Sequence, residues 1–219
     1  MHNGLLWTTV LLGAYLFAAI PWGLLIGRLK GVDIRQCGSG NIGATNVRRV
    51  LGKGWGRLCF ALDFLKGLLP VLAVKYLVRH GLLADPWQLA EALTALVCVV
   101  GHVASVYLRF RGGRGISTTF GVMLALAPWS LVLTALAWVA VFYSSRYVSL
   151  ASICATGLLP FVALTLSLTG IEKLTLPVVI LLFILAVLTV YKHRSNIQRL
   201  RDGTESRFGR AHDAGEQKS

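Results

Sequence analysis

Long runs without a charged residue alternate with three short polar stretches along this chain. The charge-free runs cover residues 5–27, 92–108, 115–145, 147–171 and 174–191. A helix needs roughly 20 apolar residues to cross the hydrocarbon core of a bilayer, so runs of this length predict membrane helices. Residues 58–78 predict a further one, interrupted by Asp63, Lys66 and Lys75. The first run lacks a Lys/Arg-rich leader and a clear small-residue cleavage site, so it reads as a retained helix rather than a signal peptide. The polar stretches are GSGNIGATNVRR at 38–49, GHVASVYLRFRGGRG at 101–115 and HRSNIQRLRDGTE at 193–205.

The 115–145 run fits either one long tilted helix or two short ones meeting at Pro128, and charge decides between them. Lys and Arg gather at 28–57 (seven), 109–114 (three) and 192–218 (seven), whereas the connections at 79–91 and 169–173 hold Arg79 and Lys173 beside Asp85, Glu91 and Glu172. Basic loops stay on the cytoplasmic side. For the first and last basic segments to share that side, an even number of crossings must separate them, which requires 115–145 to cross twice. The expectation is an all-α integral membrane protein of seven transmembrane helices. Its N-terminus is outside, its C-terminus is cytoplasmic, and all three polar loops lie on the cytoplasmic face. One domain, 1–205, carries the fold, and 206–219 reads as a polar, disordered cytoplasmic tail.

Composition agrees with a membrane class: 55% of residues are hydrophobic and 14% charged, with a mean hydropathy of +0.67. Soluble domains carry about a quarter charged residues. Cys37, Cys59, Cys98 and Cys154 are scattered without CxxC or Cys/His spacing, so neither a zinc site nor a disulfide framework is expected. A net charge of +13 raises nucleic acid as a partner, yet the basic residues sit at membrane edges and no DNA- or RNA-binding motif accompanies them. For Arg28, Lys30, Arg57, Arg207 and Arg210 the plain reading is orientation and attraction to anionic headgroups.

The polar stretches carry the chemistry. Gly38, Gly40 and Gly43 permit tight turns and close backbone approach. Ser39, Asn41, Thr45 and Asn46 add hydroxyl and amide groups, followed by Arg48 and Arg49. Glycine-rich backbone beside hydroxyls and guanidinium groups is a means of holding phosphate. A lone loop of this kind is as readily a helix-linking turn. Here the idea recurs in Arg109, Arg111, Gly112, Gly113, Arg114 and Gly115, which points to a phosphorylated or otherwise dianionic small ligand.

His102 precedes that second cluster and suits a general base or a hydrogen-bond donor, though a membrane-edge histidine with one structural hydrogen bond explains it nearly as well. His193 and Asn196, three apart, share a face if helical. Asp63 and Lys66 have the same spacing and pair within the apolar segment, where they read as structural support beneath the site. His80 and Asp85 satisfy an HxxxxD acyltransferase pattern, but on the outer side, and read as a chance match.

Taken together, these residues resemble the bacterial PlsY-type membrane acyltransferases, through SGNIGATN, GHxxxxxxxFRGGRG and HRxNIxRLxxGTE in that order, with DFLKG at 63–67 and SLAS at 149–152. The resemblance runs to about Glu205. It implies transfer of an acyl group from acyl phosphate to glycerol 3-phosphate, giving lysophosphatidic acid and phosphate at the start of phospholipid synthesis. It also implies no metal or organic cofactor, the bacterial inner membrane as location, and membrane lipids rather than nucleic acid as surroundings. Ser39, His102 and Asn196 take the catalytic positions. Substrate is held by Gly40, Asn41, Gly43, Thr45, Asn46, Arg49, Arg111, Gly112, Gly113, Arg114, Ser149, Ser152 and His193. The chain departs from the family at Ala104-Ser105, where an aromatic-proline pair is usual, and at Arg111 and Arg114, which replace commoner lysines.

The rival from another class is a transporter for a phosphorylated solute, binding through the same loops without reacting. Inverted repeats and a site near the midplane mark such carriers; no internal duplication is visible, and the polar motifs gather at one face. A lipid-binding scaffold without chemistry is the third reading.

Overall fold

The computed structural model describes residues 2–84 and 89–209, and among these every regular element is helical. The first apolar segment, Gly4–Leu29 by composition, is broken into α1 (His2–Ala19) and α2 (Trp22–Leu29). Pro21 is the cause, since it lacks an N–H and its ring excludes the carbonyl one turn back. Two carbonyls at the break are satisfied from elsewhere: Ser105 Oγ donates to the Ala19 carbonyl at 2.6 Å and Lys66 Nζ to that of Ile20 at 2.9 Å. Ser105 is therefore a buried brace on this break.

A short helix, α3 (Ala44–Leu51), leads through Gly52 into α4 (Lys53–Arg79), which contains Pro70. Then come α5 (Leu89–Val103), a single 3₁₀ turn at Val106–Leu108, α6 (Ile116–Leu126) and α7 (Pro128–Ser145). The 115–145 run does divide at Pro128, with the proline in the first turn of α7, where its missing N–H costs nothing. The bundle ends with α8 (Val148–Leu168), α9 (Leu176–Lys192) and α10 (Arg194–Arg201), the last two meeting at 54°.

Helix α5 is central. Its Ala95, Cys98 and Val99 are buried with Ala14 and Ala18 of α1, Met123 of α6 and Leu182 and Leu185 of α9. Close approach of α4 and α6 depends on two glycines: a Cβ on Gly67 would strike the Thr118 carbonyl, and one on Gly121 the Phe64 carbonyl. Small residues at crossings let membrane helices pack by backbone contact. Outward faces carry Leu136, Phe161, Leu168 and Val187, all exposed, the pattern of a surface solvated by lipid. Among the described residues four helical segments, Gly4–Leu29 counted as one, are long and apolar enough to cross a membrane, five if the bent α9–α10 pair forms one span. Helix α4 carries Asp63, Lys66 and Lys75, and α6 is short, with 11 residues.

Glu172, between α8 and α9, caps the start of α7: its carboxylate accepts from the Trp129 N–H at 2.9 Å, the Ser130 N–H at 3.1 Å and the Ser130 hydroxyl. At the other end of α7 the chain after Glu205 is packed. Phe208 meets Phe142 edge-to-face with centroids 5.0 Å apart, Arg48 lies over its ring, and its N–H donates to the Arg146 carbonyl at 2.8 Å. Ordered packing thus continues past the boundary at 205 that the sequence suggests. The rest of that tail, 210–219, and Asp85 of the HxxxxD match lie outside the described residues.

Candidate functional site

The first polar stretch is organised by Asn46, which is 1% exposed. Its Oδ1 accepts from the Ser39 N–H at 2.8 Å and from Arg49 Nη1 at 3.4 Å, while its Nδ2 donates to the carbonyls of Ile34 and Cys37. Gly38 and Gly40 turn the chain with φ of 59° and 68°. Asn41 Oδ1 accepts from the Gly43 N–H at 2.8 Å, closing an Asx turn into the start of α3. Asn46 and Asn41 therefore build the loop, whereas Ser39, Thr45 and Arg49 are left exposed on it.

The third stretch centres on a residue that the sequence reading used only as the end of a motif. Glu205 accepts from Ser149 Oγ at 2.6 Å, Asn196 Nδ2 at 2.7 Å and Arg199 Nε at 2.7 Å, so α8, α10 and the chain beyond are tied at one carboxylate. Burial pushes its pKa up, but the hydrogen bonds from Ser149, Asn196 and Arg199 more than reverse this and hold it below the ordinary carboxylate value. Because a carboxylate only accepts, Asn196 must turn its NH₂ towards it. The amide oxygen of Asn196 remains buried without a hydrogen-bond partner among the described residues. His193, at the bend between α9 and α10, is 2% exposed and has Nδ1 2.8 Å from the Thr189 carbonyl. A carbonyl cannot donate, so Nδ1 carries the proton and the neutral ring keeps its lone pair on Nε2.

Arg114 links the second stretch to this cluster. Burial lowers its guanidinium pKa, Glu205 offsets part of that, and the positive charges of Arg199 and Arg49 add to the lowering, which leaves it at about 10. It stays charged at neutral pH. Arg114 thus feels the positive charges of Arg49 and Arg199 against one carboxylate, that of Glu205, a surplus of positive charge suited to an anion.

His102 is 4% exposed, beneath the Gly112–Gly113 turn that leads into Arg114. The Gly113 N–H donates to the His102 carbonyl at 3.1 Å and the Gly112 N–H to that of Val103 at 3.2 Å. A Cβ on Gly112 would strike the His102 carbonyl, and one on Gly113 would strike the imidazole at Nε2. Both glycines are required by close packing on the histidine. Its Nδ1 faces Asp63 Oδ1 at 3.5 Å, and Lys66 Nζ lies 2.7 Å from the same oxygen. Lys192 Nζ closes the group from α9 by donating to the Val103 carbonyl at 3.0 Å.

Not every expected residue joins these clusters. Ser152 Oγ accepts from Trp138 Nε1 at 3.2 Å and donates to the Val148 carbonyl, so it ties α8 to α7 rather than lying on Glu205 beside Ser149. Arg111 is exposed. Arg199 and Glu205 are the members that motif reading missed, and their spacing of six held no signal of the ion pair. No group of three or more His, Cys, Asp or Glu gathers in a metal-ligating arrangement among the described residues.

Comparison with known proteins places this geometry. A family model described as glycerol-3-phosphate acyltransferase matches residues 8–203. A glycerol-3-phosphate acyltransferase of Geotalea daltonii is 45% identical over 201 residues, covering 92% of this chain and 97% of that protein. One from Geobacter sulfurreducens is 44% identical over 209 residues, covering 95% and 99%. The crystal structure of PlsY, an integral membrane glycerol 3-phosphate acyltransferase, superposes in its glycerol 3-phosphate form with a TM-score of 0.80 at 40% identity, covering 93% of this chain and 96% of that one. Its lysophosphatidic acid form gives 0.78 at the same identity, covering 93% and 95%.

Proposed function

The chain belongs to the glycerol-3-phosphate acyltransferase family, and on that premise we propose that acyl phosphate is the donor from which it acylates glycerol 3-phosphate. It is an integral membrane acyltransferase that forms lysophosphatidic acid. The observation that carries the finer reading is the tie of Ser149, Asn196 and Arg199 to Glu205, with Arg114 within reach of the charges of Glu205, Arg199 and Arg49, and His193 within reach of Arg114 and Glu205. Such a cation surplus next to hydroxyl and amide groups suits a reaction in which both substrates carry phosphate.

In the proposed reaction a glycerol hydroxyl oxygen attacks the acyl carbonyl carbon. The new ester bond forms, the bond from that carbon to the bridging phosphate oxygen breaks, and inorganic phosphate departs with the electron pair. Acyl phosphate is a mixed anhydride with a good leaving group, so positioning and charge stabilisation supply most of what is needed. Arg49, Arg114 and Thr45 hold phosphate, His193 and Asn196 orient the acceptor, and Ser39 lies near the reacting hydroxyl. His102 takes the hydroxyl proton and passes it to the departing phosphate. We further propose seven crossings with the N-terminus outside, one domain ending near 205, and location in the bacterial inner membrane. The apolar tail of the donor then lies among lipid while the phosphates face the cytoplasm.

The test is to supply purified protein with labelled glycerol 3-phosphate and either acyl phosphate or an acyl thioester. Product with acyl phosphate and release of one phosphate per turnover are expected. Product from the thioester alone would overturn the donor assignment.

A further inference from the structure

Helix α3 has eight residues, and a helix of that length holds no fixed position without tertiary contacts. It nevertheless carries exposed Arg49, whose direction decides what the guanidinium can reach. On one side α3 lies against α4, where Arg48 packs so closely on Gly56 that a Cβ added there would strike the Arg48 Cβ. On the other side it meets the chain beyond Glu205. The Arg48 guanidinium lies over the Phe208 ring, 4.1 Å from its centroid. Phe208 is held in turn by Phe142 of α7, with centroids 5.0 Å apart, and by its own N–H, which donates to the Arg146 carbonyl at 2.8 Å. One residue earlier, Arg207 Nε donates to the Tyr147 hydroxyl at 3.0 Å. Residues 205–208 thus form a strap that starts at the Glu205 tie, crosses the α7–α8 turn and ends on α3. The family model stops at residue 203 and does not include it.

We propose that Phe208 is a positioning residue for glycerol 3-phosphate, acting through Arg48: its ring clasps α3 to the α7–α8 turn and so aims Arg49 at the substrate phosphate. Consecutive residues on a helix point about 100° apart. An Arg48 side chain fixed at its root by Gly56 and at its tip by Phe208 therefore fixes the rotation of α3, and with it the direction of Arg49. Arg114 is within reach of the charges of Arg49 and of Glu205, the residue from which the strap departs, so both ends of the clasp belong to one neighbourhood. The flat guanidinium suits this contact, because it stacks on an aromatic face while keeping its charge. The inference rests on the proposed role of Arg49 in holding phosphate.

Two measurements test it. Phe208→Leu keeps an apolar side chain against Phe142 and removes the aromatic face. It is expected to raise KM for glycerol 3-phosphate roughly threefold to thirtyfold, the range of a cation–π contact, with kcat changed less than about twofold. Phe208→Tyr restores the face and should restore KM. Combined with Arg48→Met, Phe208→Leu is expected to add little, because the guanidinium it serves is gone. A smaller rise in KM, or losses in the two single variants that multiply in the double one, would overturn the inference. The second measurement uses the unmodified protein and holds whether or not any variant folds. Coupling between strap docking and substrate binding is reciprocal, so saturating glycerol 3-phosphate should slow hydrogen exchange at the Phe208 N–H by a comparable factor. Exchange that glycerol 3-phosphate leaves unchanged would show that the strap does not sense the site. An unaltered KM in Arg49→Ala would instead remove the parent assignment.

Discussion

Removing the Glu205 carboxylate should loosen the cytoplasmic end of the bundle by an amount that three contacts set. Its donors are Ser149 at 2.6 Å, Asn196 at 2.7 Å and Arg199 at 2.7 Å. Hydrogen bonds to a charged group are worth about 1.5–3 kcal/mol each when the partner is left buried and unsatisfied. Ser149 and Asn196 meet that condition at 4% and 2% exposure. The Arg199 side chain, 36% exposed, regains water and is discounted for screening. The expected cost of Glu205→Ala is therefore about 3–6 kcal/mol, and of Glu205→Gln, which keeps one acceptor oxygen, roughly half that. For a chain of this size the alanine variant should melt roughly 6 to 24 °C lower in detergent micelles.

The pH dependence carries the sign. The folded-state pKa of Glu205 lies below its ordinary value, so its stabilisation is complete above the unfolded pKa and is lost as pH falls through the folded one. The gap in melting temperature between native protein and Glu205→Ala should be flat from about pH 6 to 8 and shrink in acid. A gap under about 2 °C at neutral pH, or one that persists unchanged in acid, would refute the view of Glu205 as the tie among these elements.

Arg49→Ala and Arg114→Ala should each raise KM for glycerol 3-phosphate by roughly 10- to 150-fold, the equivalent of one charge-assisted contact, with melting temperature little changed; unaltered steady-state kinetics in folded protein would remove both from the phosphate site. Glu172→Gln should lower stability by about 0.5–2 kcal/mol through loss of a helix cap while leaving kcat/KM unchanged, since it acts at the far end of α7; an activity loss matching that of Arg114→Ala would contradict this separation. In a background lacking the four native cysteines, a maleimide applied to intact cells should label Ala84→Cys but not Thr45→Cys or Thr204→Cys, and the opposite pattern would reverse the orientation.

Charge-free length was enough to read the helical membrane class, and the uneven distribution of Lys and Arg located the division at Pro128. Arg49, Arg114, His193 and Asn196 stood out as candidates because glycine, amide and guanidinium groups are set against an apolar background. Other features left weaker traces. Pro21 signals a break, but not that Ser105 and Lys66, far along the chain, would satisfy its carbonyls. Asp63 and Lys66 were readable as a pair three residues apart, while the contact with His102 depends on how α4 and α5 cross. Ser152 shares a motif and a helix face with Ser149, yet Ser152 meets Trp138 of α7 and Ser149 meets Glu205, a difference set by which element packs at each level of α8. Glu205 and Phe208 lie in a polar stretch whose composition resembles a solvated tail; their partners on α3, α7, α8 and α10 come from tertiary packing.

The length of α6 has a consequence for where the site stands in the membrane. Eleven residues rise about 16 Å, roughly half of a hydrocarbon core near 30 Å thick. Arg114 lies just before that helix and Pro128 just after it, so on the proposed topology polar backbone from both leaflets is drawn towards the midplane along this side of the bundle. Most of α6 is buried by its neighbours, with Leu124 its exposed side chain, so protein rather than lipid surrounds that polar backbone, as irregular backbone at membrane depth requires. The depth of the guanidinium-bearing loop is thereby set by the helices packed around α6 rather than by the bilayer beside them.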